Sequence, residues 1–218
     1  MAIDLPPTVA DDWHRVGRRT DDRSLSIATI TAETTVFEHR PTADAIERLR
    51  PDGDVPARSL FTVDVRVSPA LETIGLSAAD ALETAAPAAR EQFVDTVERD
   101  DITVRGERAT EFIDRPDGVV GHLTVLEVAY PIDPSTASES DDTAAATASI
   151  AAEAHVAVWP AADAYVLAGG LVPLEGPDGA DLLAAALDVD PARDREVIVD
   201  LFRGLDLGAA AGESADLE

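Results

Sequence analysis

Apolar and polar residues alternate cleanly over 57–69, ARSLFTVDVRVSP. Phe61, Val63, Val65 and Val67 fall on one side, Thr62, Asp64 and Arg66 on the other. A period of two predicts a half-buried strand. Residues 24–39, SLSIATITAETTVFEH, are rich in Thr, Ile and Val and predict one strand or two short ones. TADAIERLR (42–50), after Pro41, predicts a short helix. From Ser77, a predicted cap, the period lengthens: Leu82, Ala86, Ala89, Phe93 and Val97 form one helical stripe. Pro87 interrupts it, and predicts either a kink or a second helix capped by Thr84.

The period of two returns over residues 102–131, around the turn RPDG (115–118). There Pro116 sets φ and Gly118 takes the left-handed position. A hairpin centred on this turn places Ile102, Val104 and Phe112 on one core face with Leu126, Val128 and Tyr130. Residues 131–149 are low in complexity, with no large apolar residue after Ile132, and predict a mobile loop. The strands on either side look incomplete alone, so it reads as a loop within one domain. IAAEAHVAVW (150–159) and AYVLAGGLVP (164–173) predict a second hairpin around PAAD. Two helices close the pattern: DGADLLAAALD, then DPARDREVIVDLFRGL. The second has Asp190 as cap, Pro191 in its first turn and Gly204 as its stop, with a stripe of Val197, Ile198, Leu201, Phe202 and Leu205. The expected fold is α+β: a twisted antiparallel sheet of about six strands with two main helices packed on it. It occupies residues 24–205, behind a leader of little periodicity at 1–23 and ahead of a disordered tail at 206–218.

Charge changes the environment expected for this fold. The chain of 218 residues carries 43 acids against 17 bases, a net −26, and every base is arginine. Self-repulsion of that size opposes compaction in dilute salt. In molar salt the screening length falls to about 3 Å. The expectation is a salt-adapted protein of a salt-filled cytoplasm, its acidity a solubility trait. A surface of this sign also argues against nucleic acid, whose phosphates need a basic stripe. There is no cysteine, which excludes disulfides, thiolate metal sites and a cysteine nucleophile. MAIDLPPTVADD lacks the basic and apolar regions of a signal peptide, and the longest apolar run, 164–174, is too short to span a bilayer. A cytoplasmic location with no membrane partner follows as an expectation.

Candidate chemistry is sparse. The histidines His14, His39, His122 and His155 show no metal-ligand spacing. His155 alternates with Glu153 and Trp159 on one strand face, and a site shared with His122 on the neighbouring hairpin is conceivable; surface histidines explain both more simply. DVDPARDRE (188–196) starts like a calcium loop but lacks its glycine and closing glutamate, and a helix cap explains Asp190 better. There is no GxSxG, dinucleotide or phosphate-loop spacing. No catalytic set, metal site or cofactor is expected. DWHRVGRRTDDR (12–23) gathers Arg15, Arg18 and Arg19 beside Trp13 in an acidic chain. The arginines could clamp a phosphate or carboxylate. The simpler alternative has them paired with the protein's own acids while Trp13 and Val16 pack. Ligand or partner candidates are therefore Trp13, Arg15, Arg18, Arg19, His122, His155 and Trp159.

From Ala79 to Leu205, the motifs ITVRGERATEFID, VVGHLTVLEVAYP, AEAHVAVWPAADAYVLAGG and DREVIVDLFRGL resemble the C-terminal part of a family of uncharacterised haloarchaeal lipoproteins. This chain departs from them in having no lipidated cysteine. The helix–meander–helix order is more loosely similar to the PsbP/Mog1-like fold, which implies binding of partner proteins rather than catalysis. The expected function is a non-catalytic module that binds another protein. One alternative is a carrier of a small apolar ligand, in a cavity between the meander and the last helix left open by Ala152, Ala154, Gly169 and Gly170. The other is a hydrolase built on scattered carboxylates.

Overall fold

The computed structural model describes residues 3–24, 28–49, 58–131, 149–162, 164–176 and 181–207. One antiparallel sheet of seven strands organises them, in the order β1-β2-β3-β7-β6-β5-β4. The strands are β1 (Trp13–Ser24), β2 (Thr29–His39), β3 (Ser59–Ser68), β4 (Thr103–Asp114), β5 (Val120–Pro131), β6 (Ser149–Pro160) and β7 (Ala164–Pro173). The helices are α1 (Pro7–Ala10), α2 (Arg40–Leu49), α3 (Leu82–Arg99), α4 (Asp181–Leu187) and α5 (Pro191–Gly204). The α+β class and the four-strand meander stand as read.

The seventh strand is β1, lying inside what reads as a leader. Its twelve residues, WHRVGRRTDDRS, pair with β2 along their whole length apart from a bulge between Arg15 and Gly17. The sequence hides it because an edge strand needs backbone partners on one side only, and charges with a bulge protect the other side. The segment before it is docked as well. Ile3, Leu5 and Val9 join the core, and Thr62 Oγ1 donates to the Ile3 carbonyl at 2.7 Å. At the other end Leu207 is buried with Leu205, so the first residues of the expected tail are anchored. The remainder of that tail, and all of the predicted mobile loop but its two ends, lie outside the described residues. At its flanks Pro131 pairs with Ser149, so β5 and β6 are neighbours in one sheet.

The two main helices lie on opposite faces. Strand parity assigns Val63, Leu126, Val128, Ala154 and Leu167 to one face, and these cluster with α3 and α4. Leu60, Ala157, Trp159, Ala168 and Val172 point the other way, into α5 and residues 3–13. Covered on both sides, β7 is buried at every position. Such a strand reads as a continuous apolar run.

Two expectations fail locally. Of the two alternatives at Pro87 the second helix capped by Thr84 fails, since α3 is continuous from Leu82 to Arg99 with Pro87 inside it. Pro87 faces solvent, where the carbonyl it leaves unbonded can reach water. Phe112 does lie on the α3 side, yet it is 58% exposed. The first turns of α3 cluster with Val158, Tyr165 and Leu167, and its end clusters with Leu126 and Val128. That oblique path leaves the turn end of the β4–β5 hairpin uncovered.

The small residues proposed to leave room for a ligand do the reverse. A Cβ on Gly170 would stand 2.5 Å from the Ser59 carbonyl and 2.8 Å from Ile198 Cδ1. Gly169 is closed off in the same way by the His155 carbonyl and the Phe61 ring. Gly170 lets β7 approach α5 closely, and Gly169 lets the Phe61 ring lie against β7.

Candidate functional site

The N-terminal half of α5 and residues 8–13 border a cleft of about 160 Å³. Trp13 forms one wall; its ring stands 5.3 Å from that of His39, tilted by 60°. At the base Arg58, almost fully buried, holds three elements together. Its Nε donates to Asp194 Oδ2 at 2.8 Å, Nη1 to Thr42 Oγ1 at 3.0 Å, and Nη2 to the Asp188 carbonyl at 2.6 Å. Thr42 is buried, accepts from Arg58 and lies within hydrogen-bond distance of His39 Nδ1, 2.7 Å away. The His39 ring is half-buried. Burial, and after it the positive charge of Arg58, lowers its pKa below the ordinary histidine value. Arg193, at the rim, is held by Asp188 at 2.9 Å and by Asp194 at 3.5 Å. Asp12 and Asp200 complete the charged lining.

An apolar-ligand carrier needs roughly 300 Å³ or more of largely apolar space. This cleft is about half that, and six of its lining side chains are ionisable.

Of the residues singled out from sequence, Trp13 alone lines the cleft. The arginines do not converge. Register puts Arg15 opposite Phe37 and Arg18 opposite Thr35, on one face, and Arg19 opposite Thr34, on the other. Arg18 pairs with Glu33 and Arg19 with Asp21, while Val16 is exposed rather than packed. His122 and His155 also lie on opposite faces of the sheet, opposite Val158 and Val125 respectively, which rules out a shared site. Among the described residues no three His, Asp or Glu side chains converge to hold a metal ion. Trp159 cannot meet a partner: it is fully buried, edge-on to Phe202 at 5.1 Å.

A family model, described as a domain of unknown function (DUF6517), matches residues 4–206. The chain belongs to the DUF6517 family. No curated protein and no solved structure matches it. The DUF6517 match extends well N-terminal of the part that resembles the lipoproteins, and takes in residues 4–23 with β1.

Two charged groups in this DUF6517 chain were not foreseen. Glu153 is buried on the α5 side of β6. Its carboxylate accepts from Arg195 Nε and Nη2, both at 2.9 Å, from Arg108, and from His155 Nε2 at 3.1 Å. Arg108 sits in a β4 bulge between Glu107 and Ala109 and reaches across β5 to make this contact. Arg115, beside the hairpin turn, donates to the Phe202 and Leu205 carbonyls, the latter at 2.6 Å, and lies 5.7 Å from the Trp159 ring centre. It satisfies the C-terminal carbonyls of α5 and complements the helix dipole.

These groups give acid sensitivity a definite sign. Burial opposes the charge on Glu153, but hydrogen bonds from Arg195 and His155 outweigh it and hold its pKa below the ordinary value of 4.5. Burial also lowers His155 below 6.5, against the pull of Glu153, and His39 is lowered too. In each case the unfolded chain takes up its proton at a higher pH than the native one, so stability rises with pH. The stabilisation is complete above about pH 6.5 and is lost as pH falls, first through the histidine range and then through that of Glu153. In urea titrations, His155→Gln will flatten the slope between about pH 7 and 5 without abolishing it, since His39 remains. An unchanged slope would show that His155 titrates alike in both states.

Proposed function

We propose that this protein is a salt-adapted, non-catalytic cytoplasmic module that binds another protein through the turn end of the β4–β5 hairpin. The observation that carries this reading is Phe112. The chain has nine aromatic residues, and Phe112 is the one more than half exposed. It meets His122 edge-on at 5.5 Å, and exposed Val120 lies on the same face. Aromatic side chains are enriched at the centres of protein interfaces. Bulges along β4 discourage partner binding by strand addition, so side chains would make the contact.

A photo-crosslinking residue at position 120 tests this in cells. A discrete adduct is expected, absent when the same residue is placed at Val199 and lost with Phe112→Ala at an unchanged melting temperature. An adduct that survives Phe112→Ala, or none at all, removes the reading. Salt adaptation has its own measurement. Circular dichroism across a potassium chloride series should show loosening well below 1 M, because screening of the −26 charge fades there. Equal heat stability in millimolar salt would defeat it.

A further inference from the structure

We propose that the cleft beneath Trp13 binds a compact organic cation, an alkylammonium group. The charges of the cleft do not balance. Arg58 is matched by Asp194 at 2.8 Å and Arg193 by Asp188 at 2.9 Å. Those two pairs cancel, and burial with the charge of Arg58 lowers the His39 pKa against the pull of Asp12, which disfavours a further positive charge there. Asp12 and Asp200 remain, both exposed at the cleft, each with its side-chain carboxylate unpaired among the described residues. An anion would find the arginines committed, and the Arg193 N–H at the start of α5 already donates to Asp190 at 3.1 Å. A bare metal ion would need carboxylates that converge, and they do not. An alkylammonium needs neither convergence nor a free arginine. Its diffuse charge is served by two separated carboxylates and an aromatic face, and Trp is the strongest such face. The volume of about 160 Å³ suits a group of that size.

The test uses the two indole N–H signals of the whole protein in an NMR titration at fixed molar potassium chloride. Trp159 is fully buried and serves as the internal control for folding. Choline should shift the Trp13 signal saturably, with a dissociation constant of roughly millimolar or tighter. Its neutral isostere, 3,3-dimethylbutan-1-ol, should bind at least about tenfold more weakly, and Asp12→Asn with Asp200→Asn should weaken choline by a similar factor. The two carboxylates are exposed, so folding is preserved and the Trp159 signal should not move. A Gly-Lys-Gly peptide forms the second arm. Preference for choline assigns a free small molecule, and preference for the peptide assigns a lysine offered by a larger chain. No saturable shift of Trp13, equal binding of the isostere, or an unaffected double variant overturns the proposal. None of these outcomes bears on Phe112, which belongs to the opposite side of the sheet.

Discussion

Phe202→Ala will destabilise the protein by about 3–5 kcal/mol, while Val199→Ala, three residues away on the same helix, will change stability by less than about 0.5 kcal/mol. Phe202 lies in the α5 core cluster, edge-on to a fully buried Trp159, and its carbonyl is held by Arg115. Removing the ring takes an aromatic contact from Trp159 and leaves a cavity between helix and sheet that the surrounding strands are too rigid to close. Val199 is exposed on the far side of α5. Chemical denaturation in molar potassium chloride measures both. Comparable losses at the two positions would mean that α5 is rotated from the orientation described.

Asp194→Ala will be as damaging, for an electrostatic reason. Arg58 lies beneath the cleft with about 4% of its side chain exposed, and Asp194 is its only carboxylate partner among the described residues. Truncating the acid leaves a buried cation with one hydroxyl and one carbonyl, neither of which balances its charge. Breaking a buried pair in this way typically costs about 3–5 kcal/mol, whereas replacing both members by apolar residues is often neutral. The double change Arg58→Met with Asp194→Leu should therefore recover more than half of the loss. If the double variant is no more stable than Asp194→Ala, the damage comes from the start of α5 and not from the orphaned charge.

Local periodicity was enough to find β3, α3, α5 and the meander, because each displays its buried side within a dozen residues. The stripes through Phe93 and Phe202 and the alternation through Val63 are records of burial written in consecutive sequence. The turn at Gly118, with φ of 83°, was legible for the same reason: the conformation demands that residue. β1 was not legible. Its residues answer to solvent, and what makes them a strand is the backbone of β2.

The sequence by itself determined the α+β class, the acid-rich surface, the absence of thiol chemistry and the helical phase of α5. The tertiary structure alone decided that α3 and α5 lie on opposite faces. It also decided that His122 and His155 are kept apart, that Phe112 is left bare at the hairpin end, and that Arg58 meets Asp194 across 136 residues. The physical reason is range. Propensity and periodicity act over one or two turns of chain, whereas strand register and buried ion pairs join segments that no local pattern connects.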